Sequence, residues 1–90
     1  MWNKISHNFG KVQSGSIQTT KFVYNGSKEV REIEPLCNCL NCKFEDNELK
    51  VIWKTKANIV TEFQSNKIIA VIYDDQTIDD LTLTACLCPI

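Results

Sequence analysis

The chain has 90 residues, which is enough for one small hydrophobic core, since a second core would need at least about 50 more. Ten basic residues against eleven acidic ones give a net charge of −1. Nucleic acids and anionic membranes are bound by an excess of Lys and Arg on one surface, so the composition predicts neither as a partner.

The first residues show no targeting signal. Polar, strand-like sequence follows Met1 at once, without the apolar stretch of about 7–15 residues that marks a signal peptide. No apolar run approaches the roughly 20 residues that span a bilayer. We therefore expect a protein that is made in the cytoplasm and stays there or joins a larger particle such as a virion. Trp2, which precedes the first strand, is expected to be exposed and to bind a partner; the alternative is that it folds back onto the core.

Alternating apolar and polar residues, many of them β-branched, predict strands along the whole chain. The first clear strand is 16–24, which ends at the turn signal Asn25-Gly26, and the next is 29–35. No segment has a convincing helical pattern. Short strands at this spacing are typical of a β-sandwich or barrel.

Three strands follow in the second half of the chain, at 48–55, 67–73 and 80–87, with an irregular segment at 56–66 between the first two. The continuous apolar stretch in 67–73 predicts a central strand that is buried on both faces. The other two strands alternate, which places their apolar residues on one face. These residues are Leu49, Val51 and Trp53 in the earlier strand and Leu81, Leu83 and Ala85 in the later one.

Three stretches of the sequence carry a resemblance to a known family. They are HNFGKV at 7–12 with the Thr- and Phe-containing strand 16–24, LCNC at 36–39, and the closing pair 67–73 and 81–85. In this order they resemble the immunoglobulin-like domains related to the ASPM and Hydin group, which has bacterial and phage members. The chain departs from the family in having more cysteines than the usual pair and no Gly/Pro-rich connection between residues 53 and 66.

The resemblance implies that residues 1–90 form one domain, a seven-stranded antiparallel immunoglobulin-like β-sandwich. The implied strands are 5–12, 16–24, 29–36, 41–45, 48–55, 66–74 and 79–87. The core is predicted to contain Phe9, Val12, Ile17, Phe22, Ile33, Trp53, Ile69, Val71, Leu81 and Leu83.

The resemblance implies no shared enzymatic activity, because the members of the family are adhesion, scaffold or attachment modules. We therefore expect a non-enzymatic structural protein that docks on a larger assembly. The favoured assembly is a tailed-phage virion, in which the chain would decorate the capsid and contact capsid or tail proteins. The alternative is a small cysteine-rich regulatory module that binds zinc or responds to redox state.

The five cysteines, Cys37, Cys39, Cys42, Cys86 and Cys88, are the most distinctive local feature. A C-x-C pair on a strand places both sulfurs on one side, with the Cα atoms about 6.5–7 Å apart. If successive strands alternate in direction, the third and seventh run the same way. Their ends then meet at one pole of the sandwich, where all five thiols are able to gather.

Three states of these cysteines remain open at this point. They are free thiols that act as small hydrophobic side chains, or they form one or two disulfides with an odd thiol left over. The third state is a structural zinc site of four thiolates, from Cys37, Cys39, Cys42 and one of Cys86 or Cys88. The predicted cofactor is thus one zinc ion or none. No catalytic residue is predicted, because the single histidine, His7, belongs to the first strand and is expected to be structural.

Overall fold

Strands dominate the computed structural model, which describes residues 1–89. Residues 1–89 contain no helix that could cross a membrane. The strands are β1 (Ser6–Gln13), β2 (Ile17–Val23), β3 (Val30–Pro35), β4 (Leu40–Glu45), β5 (Glu48–Lys54), β6 (Phe63–Tyr73) and β7 (Ile78–Cys88). The prediction of an all-β protein is confirmed, and each predicted strand overlaps one of these.

The strands form two sheets that enclose the core between them. One sheet has four strands in the order β1-β7-β6-β3, and the other has three in the order β2-β5-β4. Since β6 is antiparallel to both β3 and β7, those two strands run the same way, as predicted. The prediction of a fully antiparallel sandwich is wrong at one pair, because β1 lies parallel to β7. The chain crosses to the other sheet after β1 instead of returning beside it, and β1 then extends the four-stranded sheet along the free edge of β7.

The buried side chains form one hydrophobic cluster between the sheets. The predicted faces of β5 and β7 are confirmed, because their alternate apolar residues are buried as expected. The nine largest side chains that are fully buried are Trp53, Phe22, Leu49, Ile69, Leu81, Leu83, Leu87, Val51 and Val71. All of these except Phe22 lie on β5, β6 or β7.

Two predictions about burial are wrong. Ile17 was placed in the core together with Phe22, but five positions separate them and successive strand residues point to opposite faces. Phe22 is fully buried, so Ile17 points outward and is 61% exposed. The strand β6 was expected to be buried on both faces, yet Ile68 is 40% exposed. Nothing within residues 1–89 covers the outer face of β6, because the other sheet packs against its inner face alone. Phe9 and Ile33, also placed in the core, are partly buried and pack against its rim.

Candidate functional site

Trp2 seals one end of the sandwich. Its backbone forms an isolated bridge with Tyr24, which holds the start of the chain against the end of β2. The ring lies 5.0 Å from Tyr24 and 6.0 Å from Phe44, measured between centroids, and only 5% of the residue is exposed. The prediction that Trp2 is exposed and available to a partner is therefore wrong. The bridge to Tyr24 turns the indole inward, so Trp2 folds back onto the core, which was the alternative prediction.

A chain of hydrogen bonds runs from Trp2 to the start of β7. The indole Nε1 donates to Tyr73 Oη at 2.8 Å, and this hydroxyl donates to Asp79 Oδ2 at 2.7 Å. Burial and the Asp79 carboxylate raise the pKa of Tyr73 to about 12, so the phenol stays protonated and keeps donating. We call Trp2, Tyr24, Phe44, Tyr73 and Asp79 the aromatic end; within it, the Trp2 indole and the Tyr73 hydroxyl both have hydrogen-bond partners.

The opposite end of the molecule holds most of the cysteines, but the structure divides them. Cys37 and Cys39 are joined by a disulfide in the β3–β4 connection. The pair packs against the core and lines a cavity of about 330 Å³, together with Trp53 and Leu87. Cys42 points inward from β4, and burial raises the pKa of its thiol to about 11.

Cys86 and Cys88 lie on the other side of β7 from these three. Leu87 between them is 1% exposed and faces the core, so its two neighbours face outward. The predicted four-thiolate set is therefore not brought together. Although β3 and β7 run the same way, Pro35 at the end of β3 lies level with Ile69, and Ile69 lies level with Leu81. The third strand thus ends near the start of β7, and the chain beyond it carries Cys37 and Cys39 to the cavity beside Leu87, on the core side of β7.

Glu62 completes a different group, which we call the thiol–carboxylate cluster: Glu62, Cys86 and Cys88. Both thiols donate hydrogen bonds to Glu62 Oε1, each at 3.3 Å. Lys11 on the neighbouring β1 places its Nζ 3.6 Å from the same oxygen. The ligand atoms of these three side chains all lie within 4.8 Å of one another, and no other such group of three is found within residues 1–89.

The electrostatics of the cluster favour a carboxylate that accepts from two neutral thiols. Hydrogen bonds from Cys88 and Cys86, followed by the charge of Lys11, lower the pKa of Glu62. Desolvation and the hydrogen bond to Glu62 raise the pKa of Cys86; for Cys88 the hydrogen bond to Glu62 is the larger cause. Neither thiol is an activated nucleophile in this state, because a reactive cysteine needs a lowered pKa.

Sequence reasoning missed Glu62 because it lies in the irregular segment before β6. The pairing of Phe63 with Leu87 places Glu62 beside Cys88, and that register is the signal that would have found it. His7 packs edge-on against Phe9, with ring centroids 4.5 Å apart. Its Nδ1 lies 2.9 Å from Lys4 Nζ, and burial and this lysine lower the pKa of His7.

A second candidate surface covers the outer face of the three-stranded sheet. Lys21 on β2 lies directly opposite Lys50 on β5, and Lys50 lies opposite Lys43 on β4. These three side chains, which we call the lysine row, are all exposed. In the next row, Glu48 lies opposite Glu45. Glu48 forms a diagonal ion pair with Lys21 on the neighbouring strand at 3.3 Å, and Glu45 pairs with Lys43 on its own strand at 3.4 Å.

Apolar side chains border the lysine row on its other side. Ile52 on β5 is 40% exposed, and Ile17 at the start of β2 is 61% exposed. A shallow groove of about 420 Å³ is lined by Ile52, Lys21 and Lys50, together with Thr19, Thr20 and Val51. The face therefore combines a positive stripe with apolar contact area.

No family model and no curated protein matches the sequence. Function must therefore be inferred from what the molecule itself presents. Two features stand out against an otherwise ordinary surface: the lysine row on one sheet and the thiol–carboxylate cluster on the other.

Proposed function

We propose that the chain is a non-enzymatic immunoglobulin-like module that docks on a protein partner through the lysine row. The strand order supports the immunoglobulin-like assignment. The sheet β2-β5-β4 corresponds to strands B, E and D of that fold, and β3, β6 and β7 correspond to C, F and G. In this reading β1 is a first strand that pairs with the last one.

The observation that carries the docking proposal is the direct opposition of three lysines. Like charges opposite each other on neighbouring strands destabilise a sheet. Lys21 and Lys43 each have a carboxylate partner, whereas Lys50 in the middle forms no ion pair within residues 1–89. A negative side chain of a partner placed over Lys50 would relieve this repulsion, so the row favours an acidic protein surface.

The neighbouring residues favour a protein over a nucleic acid as the occupant. Glu45 and Glu48 would repel a phosphate backbone that followed the row, because they lie one residue pair away. An acidic protein surface is able to avoid them while it packs apolar side chains against Ile17 and Ile52. Aromatic and aliphatic contacts of this kind supply much of the affinity at the centre of an interface.

The setting we propose is a tailed-phage virion, in which the chain would be an accessory protein docked on capsid or tail subunits. The support for this setting is the resemblance of the sequence to a family with bacterial and phage members. An exposed three-stranded sheet face on a small scaffold suits docking on a repeated surface.

Cosedimentation with purified tailed-phage particles that have been stripped of accessory proteins tests the proposal. The wild-type chain should sediment at a fixed copy number per particle, and Lys50→Glu should weaken binding at least tenfold because it adds a negative charge at the centre of the interface. Lys56→Glu is the matched control: it makes the same charge change at an exposed loop position away from the row. It should bind like the wild type.

Equal losses for the two variants would mean that net charge matters and the lysine row does not, which contradicts the docking proposal. Binding of the wild-type chain to duplex DNA, lost in Lys50→Glu, would contradict a protein partner. Both variants should fold, since Lys50→Glu also removes the repulsion between opposed lysines.

A further inference from the structure

We propose that Glu62, Cys86 and Cys88 form a binding site for one thiophilic divalent cation, with Zn²⁺ as the fitting class. The site is independent of the docking face, because it lies on the outer face of the other sheet. It also differs from the four-thiolate set predicted from the sequence, since it takes a carboxylate and uses none of the cysteines in the first half of the chain.

The distances between the ligand atoms suit a tetrahedral ion. With Zn–S bonds of about 2.3 Å and Zn–O bonds of about 2.1 Å, a tetrahedral site separates two sulfurs by about 3.8 Å and a sulfur from an oxygen by about 3.6 Å. Both Sγ atoms lie 3.3 Å from Glu62 Oε1, and all three ligand atoms lie within 4.8 Å of one another. Small side-chain rotations are therefore enough to admit the ion.

The backbone holds the three ligands in place before any ion arrives. Cys86 and Cys88 are alternate residues of one strand, so their side chains project from the same face. Glu62 directly precedes β6, and the pairing of Phe63 with Leu87 fixes it beside them. A site whose ligands are placed by paired strands loses little conformational entropy on binding.

The charges around the cluster balance when the ion is bound. Two thiolates and one carboxylate carry three negative charges, and a divalent cation leaves one of them. Lys11, with its Nζ 3.6 Å from Glu62 Oε1, supplies the remaining positive charge. On binding, the two S–H protons that now point at Glu62 leave to solvent, and the sulfurs turn their lone pairs to the metal.

Cys86 borders an open depression that leaves room for a fourth ligand. Asn8, Gly10 and Lys11 line a depression of about 230 Å³ beside this cysteine. Gly10 sits at the irregularity between β1 and β7 with a φ of 73°, and no atom lies within 4 Å of where a Cβ would be. Three protein ligands and one open position leave room for water or for a ligand atom from another molecule.

Titration with Co²⁺ under argon tests the site, because thiolate-to-cobalt charge transfer reports sulfur ligands. The wild-type chain should take up one Co²⁺, and Zn²⁺ should displace it. Cys86→Ser and Cys88→Ser should each abolish the charge-transfer band, and Glu62→Gln should weaken binding at least tenfold. Cys42→Ser is the matched control and should bind like the wild type, because Cys42 faces the core.

A second measurement uses the unmodified chain and does not depend on the folding of any variant. One equivalent of Zn²⁺ should protect Cys86 and Cys88 from maleimide labelling, as read by peptide mass, and a chelator should remove the protection. The site would be overturned by absence of saturable metal uptake, or by a charge-transfer band that survives Cys86→Ser. Loss of the band in Cys42→Ser, or unprotected Cys86 and Cys88, would overturn it equally.

Discussion

The two ends of this sandwich differ in whether their polar side chains are buried or exposed. At the aromatic end, Trp2 and Tyr73 are buried, and each polar atom in their chain of contacts has a partner inside the protein. At the other end, Cys86, Cys88 and Glu62 lie on the outer surface, and both thiols donate hydrogen bonds to the carboxylate. Buried, mutually satisfied groups contribute stability, whereas partly exposed groups with spare ligand capacity contribute little stability and stay free to bind.

The largest contrast between the ends should come from removing one aromatic ring from each. Trp2→Ala should lower the free energy of unfolding by about 3–5 kcal/mol, because it opens a cavity in a buried cluster. Phe63→Ala at the cysteine end should cost about 1 kcal/mol, since Phe63 is already 39% exposed. Urea unfolding of both variants measures the difference. Equal losses would mean that the aromatic end is not specially stabilised.

A smaller effect should separate two tyrosines within the aromatic end. Tyr73→Phe should cost about 1–2 kcal/mol, because it leaves the buried Trp2 Nε1 without an acceptor. Tyr24→Phe is the control: no hydrogen bond of the Tyr24 hydroxyl to a side chain is present within residues 1–89, so the change should cost less than about 0.5 kcal/mol. If the two variants unfold at the same denaturant concentration, the hydrogen-bond chain adds nothing measurable.

The β6–β7 turn beside the aromatic end should make a pH-dependent contribution to the stability of the fold. Thr77 donates to Asp75 through its hydroxyl at 2.6 Å and its amide at 3.1 Å, and Lys28 lies 3.1 Å away. These contacts lower the pKa of Asp75 from 3.8 to about 2. The stabilisation is therefore present above the unfolded pKa and is lost as the pH falls through the folded one.

The wild type should accordingly melt at a higher temperature than Asp75→Asn at pH 5, and the gap should narrow as the pH approaches 2. Thermal unfolding followed by circular dichroism at both pH values measures it. A gap that is constant or widens toward low pH would contradict the ion-paired, hydrogen-bonded role of this carboxylate.

The smallest effect on stability is expected at the thiol–carboxylate cluster. Glu62→Gln and Cys86→Ser should each change the free energy of unfolding by less than about 0.5 kcal/mol without metal, because both side chains are at the surface. The same urea experiment measures these variants. A loss of unfolding free energy as large as that of Tyr73→Phe would show that the cluster stabilises the fold, and it would contradict the contrast between the two ends.

The fold was largely predictable from alternation, and the errors in burial have two physical sources: strand parity and tertiary contacts. In β5 and β7 each run of alternating residues fixes which face is buried, and burial followed the pattern. The prediction that Ile17 is buried was wrong because an odd number of positions separates it from Phe22, so the two side chains point to opposite faces of β2. The prediction that Trp2 is exposed was wrong because its bridge to Tyr24 is a tertiary contact with no local sequence signal.

The cysteines were harder to place, since their grouping depends on the face from which each thiol projects and not on strand direction alone. The shared direction of β3 and β7 was correctly predicted, and Cys37 and Cys39 line the same cavity as Leu87, but they lie on the core side of β7. The parity of Leu83 and Ala85 already implied that Cys86 and Cys88 point outward with Thr84. Glu62 could not be predicted, because it lies in an irregular segment that only the pairing of β6 with β7 brings to the cysteines.

The parallel contact of β1 with β7 has a consequence for how fast the protein folds. Ser6 lies opposite Thr82, so the two strands that meet there come from nearly opposite ends of the chain. Closing so long a loop costs entropy before the contact returns any energy, and topologies dominated by such contacts fold in about milliseconds to seconds. The β4–β5 and β6–β7 hairpins should form first, and the docking of β1 should be the last and slowest step of refolding.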